Sequence, residues 1–199
     1  MSLFGLGFPD LQRRGSRVMI RPPRLTDFAR WAELRAASRA FLEPWEPTWG
    51  DDGLSRQRFR ARLTEQGQAW RDDRGYAFFI FALAEHGPTG EGALVGGITL
   101  SSVRRGVAQM ASVGYWTGEP FVRKGYMREA LRLVLEFAAK DLDLHRVEAA
   151  CLPRNLPSRE LLLTSGFTEE GFAERYLKIN GVWEDHCLFG KIVGEPDIP

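Results

Sequence analysis

Between residues 124 and 140 the apolar side chains Met127, Ala130, Leu131, Val134, Phe137 and Ala138 recur at the three- and four-residue steps of a helix, with Arg128, Arg132, Glu136 and Lys140 elsewhere on its surface. The strand-like segment 113–117 precedes this stripe, and the stretch F-V-R-K-G-Y-M-R-E-A at 121–130 joins the two. A turn of that kind aims several backbone N–H groups at one point and adds the positive end of a helix dipole, which together bind phosphate without any particular side chain. Arg123, Lys124 and Arg128 reinforce the field, so the turn predicts a site for an anionic cofactor.

The rest of the chain alternates between strand and helix signals. Residues 17–21 alternate as a first strand, ended by Pro22-Pro23, and Thr26 or Asp27 caps a helix running to about residue 40. A Pro- and Trp-rich loop, F-L-E-P-W-E-P-T-W-G, follows at 41–50, then a helix over 55–71 with Phe59, Leu63 and Trp70 on its apolar side. Strands are expected at 76–84 and 94–101 around a turn cluster at 87–92, and again at 109–117 and 145–152. Asn155 caps a short helix in which Pro157 is harmless in the first turn, and Gly166 closes it. Residues 175–179 and 182–189 flank Asn180-Gly181, a type I′ hairpin signal. The order β-α-α-β-β-β-α-β-α-β-β is that of a mixed α/β domain.

Composition excludes several classes. A chain of 199 residues is most simply one domain, and 27 Lys plus Arg against 26 Asp plus Glu point to neither nucleic acid nor membrane. Cys151 and Cys187 are far apart in sequence and lack a CxxC or His-rich companion, so no metal site is expected and a reducing cytoplasm is the default. His145 and His186 read as ordinary strand residues. At the start, Arg13, Arg14 and Arg17 follow the apolar part rather than precede it, which is the wrong order for a secretory signal; residues 1–15 read as a loosely held arm. No run of about 18 apolar residues exists to span a bilayer.

The turn at 121–130 lacks the G-x-x-x-x-G-K-[ST] of a P-loop and the second glycine of a dinucleotide fingerprint. The next unit is more specific: a strand, then P-R-N-L-P-S at 153–158, a helix, and S-G-F at 165–167. With I-R-P-P-R-L-T-D-F, the F-L-E-P-W-E-P-T-W loop, G-Y-W at 114–116, K-G-Y-M-R-E-A-L at 124–131, L-H-R-V-E-A at 144–149 and N-G-V-W-E-D at 180–185, the chain resembles the GCN5-related N-acetyltransferases (GNAT) over about residues 17–192. Within them it resembles the group that acetylates the N-terminal alanine of ribosomal proteins.

That resemblance implies a single α/β domain over 16–193, between the arm and a tail at 194–199, with a mixed, mostly antiparallel sheet splayed between its fourth and fifth strands. It implies acetyl-CoA as co-substrate and a primary amine as acceptor, above all the N-terminal α-amine of a protein such as a ribosomal protein. Acetylation of a small amine (a polyamine or an antibiotic) and a non-catalytic acyl-CoA-binding regulatory module remain the alternatives, and a homodimer is allowed.

Carried over residue by residue, the diphosphate loop is Val122, Arg123, Lys124, Gly125, Tyr126 and Met127, followed by Arg128. Val122, Arg123 and Met127 depart from the family's usual polar, Gly and small residues, so binding is expected from the amides of 123–127 rather than from side chains. Backbone groups of Trp116 and Thr117 would pair with the pantetheine arm as an added strand. Asn155 and Ser158 would face the thioester, with Ser158 steadying the departing thiolate, because a thiol titrating at about 8.5 leaves more easily beside an O–H donor. Glu148 is a candidate for a water-mediated proton path or a charge paired across the sheet with Arg146 or Arg175; Tyr176 could donate to the thiolate or simply pack. Leu177 stands where some relatives carry a carboxylate. An α-amine at about 7.7–8.0 needs less help to deprotonate than a lysine at about 10.4, so positioning with water as proton acceptor would suffice. Phe41, Glu43, Trp45, Glu46 and Trp49 are expected to line the acceptor mouth, with Glu43, Glu46, Asp51 and Asp52 giving a negative field; Trp45 and Trp49 could also be core anchors.

Overall fold

The computed structural model describes residues 7–83 and 90–194. An eight-stranded sheet runs through it in the order β1-β2-β3-β4-β5-β6-β8-β7. The strands are β1 (Arg13–Arg14), β2 (Val18–Arg21), β3 (Gly75–Leu83), β4 (Glu91–Arg104), β5 (Met110–Thr117), β6 (Arg146–Cys151), β7 (Thr168–Ile179) and β8 (Val182–Ile192), and the helices α1 (Phe28–Ala37), α2 (Arg39–Leu42), α3 (Arg56–Arg71), α4 (Tyr126–Lys140) and α5 (Leu156–Thr164).

The near-continuous apolar run of β3 is explained by burial on both faces. Tyr76, Phe78 and Ile80 join the core beneath α4, whereas Phe79 and Phe81 join a second core with Trp31, Leu34, Phe59 and Leu63 of α1 and α3. The α4 stripe is buried as its periodicity predicts, and Phe137 meets Tyr76 and Phe78 edge-on at centroid distances of 5.5 and 5.3 Å. Ser55 caps α3 by accepting from the Arg58 N–H at 3.1 Å.

Three local expectations change. Asp27 does not cap α1 through a side-chain bond; its carboxylate is buried and takes both Arg21 Nη atoms at 2.8 and 2.7 Å, while Arg21 also reaches Glu91 at 2.9 and 3.0 Å. Part of the segment expected as a loose arm is anchored instead: Arg13 and Arg14 pair with Ile20 and Met19, and Phe8 packs edge-on to Trp70 at 6.1 Å. Helix α4 starts at Tyr126 rather than residue 124, because Gly125 stands left-handed at φ 77° as its N-cap. Part of the arm, residues 87–89 of the turn cluster with 84–86 before them, and most of the tail lie outside the described residues.

All strand pairings are antiparallel except β5 with β6. That parallel ladder holds only Met110↔Arg146, Ala111↔Val147 and Ser112↔Glu148, after which the strands part. With β1 added at the edge, these are the fourth and fifth strands of the expected splayed sheet. At the β7–β8 turn Asn180 and Gly181 both have positive φ (42° and 85°), the I′ geometry that the Asn-Gly pair favours.

Candidate active site

Where β5 and β6 part, a cleft of about 410 Å³ opens, bordered by Val113 and Tyr115 of β5, Cys151 of β6, Ser158 of α5 and His186 of β8. One edge of β5 pairs with β4 through Gly97↔Trp116 and Gly96↔Thr117, while pairing with β6 has stopped at Ser112. The other edge at Trp116 and Thr117 is therefore open to an added strand-like ligand. At the mouth, Arg123 (φ 58°) and Gly125 turn the chain so that the first amides of α4, which lack intrahelical acceptors, face outward. Val122 and Met127 line the cleft. Gly125 and Arg128 instead border an adjoining groove of about 1060 Å³ that also holds Arg17, Arg132, Lys140 and Lys191. Lys124 lies over the Phe121 ring at 5.8 Å, and Arg17 over the Tyr126 ring at 5.1 Å. Glu129, the acid in the first turn of α4, is turned away from the loop, accepting from Ser16 Oγ at 2.9 Å and the Arg17 N–H at 3.1 Å.

Deeper in the cleft, Asn155 Oδ1 accepts the Ser158 N–H at 3.2 Å, and Ser158 Oγ lies 2.9 Å from the Tyr115 hydroxyl. Burial pushes the Tyr115 phenol well above its ordinary value, so it stays protonated. Burial also pushes the Cys151 thiol up to about 11, against a lowering contact from Ser158. Cys151 is the register partner of Cys187, so the two cysteines, distant in sequence, face one another as buried free thiols.

Of the other residues expected at the chemistry, two lie elsewhere. Glu148 does not line the cleft; its carboxylate takes Arg104 at 3.0 Å and Arg146 at 3.3 Å, the cross-sheet pairing that was its alternative. Tyr176 is 48% exposed and packs edge-on to His186 at 5.8 Å. His186, read from sequence as an ordinary strand residue, is buried and borders the cleft beside Leu177. Its Nδ1 lies 2.9 Å from the Glu184 carbonyl oxygen. A carbonyl only accepts, so Nδ1 carries the proton and, in the neutral ring, Nε2 keeps a lone pair.

The segment expected as a loop at 41–50, whose first residues belong to α2, does reach the site. Phe41, Trp45 and Glu46 line the cleft, and Trp49 with Glu46 lines a second recess of about 350 Å³ on the α1–α3 face of the sheet. Both hollows include Gly114, Tyr115 and Trp116. The negative field expected from Glu43 and Glu46 is neutralised, however. Glu46 takes both Arg35 Nη atoms at 2.7 and 2.5 Å and the Trp49 indole N–H at 2.9 Å, and Glu43 is paired with Arg39 at 2.6 Å. Trp49 is thus both an anchor for this ion pair and a wall of the recess. The Asn180 N–H donates to the Glu46 carbonyl at 2.9 Å, which ties the loop to the β7–β8 hairpin.

Among the described residues no group of three or more His, Cys, Asp or Glu could hold a metal ion. A sheet parted beside an amide-presenting helix start, with a second hollow on the α1–α3 face, leaves room for two ligands on either side of residues 114–116. The chain belongs to the acetyltransferase (GNAT) family, whose domain matches residues 17–168. It is 37% identical over 173 residues to the probable N-acetyltransferase YjcK of Bacillus subtilis, covering 87% of this chain and 92% of that protein. It is 31% identical over 180 residues to the [ribosomal protein uS5]-alanine N-acetyltransferase of Escherichia coli, covering 90% of each. The structure of Mycobacterium smegmatis RimJ in complex with CoA-disulfide superposes with a TM-score of 0.80 at 33% identity, over 88% of this chain and 81% of that one. The protein is an N-acetyltransferase with acetyl-CoA as its co-substrate.

Proposed function

We propose that the protein acetylates the N-terminal α-amine of a protein, a ribosomal protein being the leading candidate. Similarity to the uS5-alanine enzyme over 90% of both chains is the observation that carries this reading. In it, the α4 amides and the cations Arg17, Arg123, Lys124 and Arg128 hold the diphosphate, and the open edge of Trp116 and Thr117 aligns the pantetheine arm. The acceptor enters between the 43–49 loop and the hairpin and meets the thioester carbonyl through the gap. Acetyl-CoA supplies the activated acyl group. Tyr115 donates to Ser158 Oγ, which leaves the Ser158 hydroxyl proton free to stabilise the sulfur as the C–S bond breaks. His186 Nε2 accepts the proton that the amine must lose, directly or through water, in place of the carboxylate replaced by Leu177.

Neutralisation of Glu46 by Arg35 weighs against a polyamine acceptor, which would need a free negative field. The Tyr115–Ser158 pair weighs against a binding-only module. We place the enzyme in the cytoplasm, in keeping with two free thiols, and among the described residues no helix is long and apolar enough to cross a membrane. A homodimer, if formed, has the exposed Phe172, Val182 and Trp183 of the hairpin available to cover. Thiol release from acetyl-CoA with N-terminal peptides, compared with polyamines and aminoglycosides, tests the assignment: turnover confined to small amines overturns it.

A further inference from the structure

The recess on the α1–α3 face carries an unbalanced charge. Two guanidinium groups, Arg35 and Arg62, line it with one carboxylate, Glu46. Both Glu46 oxygens are committed to Arg35 and Trp49, and the Arg35 guanidinium is fixed between the Trp49 and Trp116 rings at 4.0 and 4.8 Å. Arg62 has no such partner among the described residues. Glu46 and Glu65 act on it only at longer range, and neither comes within ion-pair distance. Burial first, and the charge of Arg35 second, hold its guanidinium below its ordinary value. A half-buried cation facing a hollow beside another cation is stabilised by any anion that enters.

The recess is also open at its floor. A Cβ built on Gly114 would meet nothing within 4 Å. Gly114, Tyr115 and Trp116 are shared with the cofactor cleft, and these three residues span roughly 7 Å of strand, the length of two residues of an extended acceptor.

We propose that this recess reads an acidic side chain at the second or third position of the acceptor chain, with Arg62 as its counter-ion and specificity determinant. The inference rests on the α-amine reading and narrows it to acceptors whose first residues carry Asp or Glu. Arg35 positions the wall and Arg62 makes the contact, because both Arg35 Nη atoms are held by Glu46, whereas among the described residues Arg62 has no ion-pair partner.

The test compares Ala-led peptides carrying Glu, Gln or Lys at position two, and separately at position three, with the wild-type enzyme and the variants Arg62→Gln and Arg62→Glu. The expected result is a preference of about 10- to 100-fold in kcat/KM for Glu over its isostere Gln at one of the two positions, carried by KM and weakened by salt. Arg62→Gln should bring the two peptides together. Arg62→Glu should move the preference toward Lys, a reversal that misfolding cannot produce, and an acetyl-CoA thermal shift checks that each variant is folded. Equal kcat/KM for Glu and Gln peptides at both positions in the wild type, or a Glu preference that survives Arg62→Gln, overturns this inference while leaving α-amine acetylation standing. Absence of turnover with every peptide overturns both.

Discussion

Replacing Ser158 by alanine separates its structural role from its chemical one. The cap of α5 is kept, because Asn155 Oδ1 accepts from the backbone N–H of residue 158 and not from the hydroxyl. What is lost is the 2.9 Å contact with Tyr115 and the donor proposed to meet the sulfur. The first loss costs about 1 kcal/mol of stability, rising to about 1–3 kcal/mol if the Tyr115 hydroxyl stays unsatisfied. The second removes a hydrogen bond to a developing anion, worth about 1.5–3 kcal/mol, or about 10- to 150-fold in kcat. Thiol release measured at saturating acetyl-CoA and peptide should show that fall in kcat with little change in KM for acetyl-CoA. Tyr115→Phe should fall by less, since it acts through Ser158, and the double variant should match Ser158→Ala rather than the product of the two single effects. A Ser158→Ala enzyme within twofold of wild-type kcat would refute the thiolate-stabilising role and leave Ser158 as a helix-cap residue only.

Gly125→Glu should raise the Kd for acetyl-CoA more than tenfold by calorimetry, since φ is 77°, a Cβ would lie 3.2 Å from Arg17 Nη1, and the new carboxylate would repel diphosphate. Gly114→Leu should keep the fold and acetyl-CoA binding but abolish turnover by filling the open space at a residue that both hollows share, read as a binding isotherm without thiol release. Asp27→Ala leaves the buried Arg21 guanidinium with Glu91 as its remaining counter-ion and should cost about 1.5–3 kcal/mol in urea unfolding, the worth of a hydrogen bond between charged groups. In the same network burial would raise the Glu91 carboxyl, but hydrogen bonds from Arg21 and Arg30 overrule it and hold it below its ordinary 4.5. A depressed carboxylate contributes stability that is complete above its unfolded value and is lost as pH falls through the folded one, so urea midpoints should drop below about pH 4.5, and less so in Glu91→Gln.

Features set by neighbouring residues were legible in the sequence. The α4 stripe, the Asn155 cap and the Asn180-Gly181 turn depend on local periodicity and backbone chemistry, and each stands where its residues predict. Features set by pairing across the fold were not. Glu46 reads as a free acid until α1 brings Arg35 to it, and Glu148 as a possible base until Arg104 arrives from β4. Tyr115 stands inside the quoted G-Y-W motif, and the period of two along β5 would have aimed it with Val113 at the α4 side, but its partner lies 43 residues on. His186 gave no local signal, because only the parting of β5 and β6 makes its strand a wall of the cleft. The loop at 121–130 is sharpened in the same way. Its departures at Val122 and Met127 fall on cleft-lining positions, while Gly125 and the start of α4 keep the backbone geometry that anion binding requires.

The central claim is that the acceptor is a protein α-amine. Intact-mass analysis of an N-terminal peptide library, incubated with the enzyme and acetyl-CoA and fragmented to locate the modification, tests it most directly. One acetyl group on the first residue, absent from internal lysines and absent with peptides blocked at the N-terminus, is the predicted result. Acetylation only of lysine side chains, or of no peptide while small amines turn over, would contradict it.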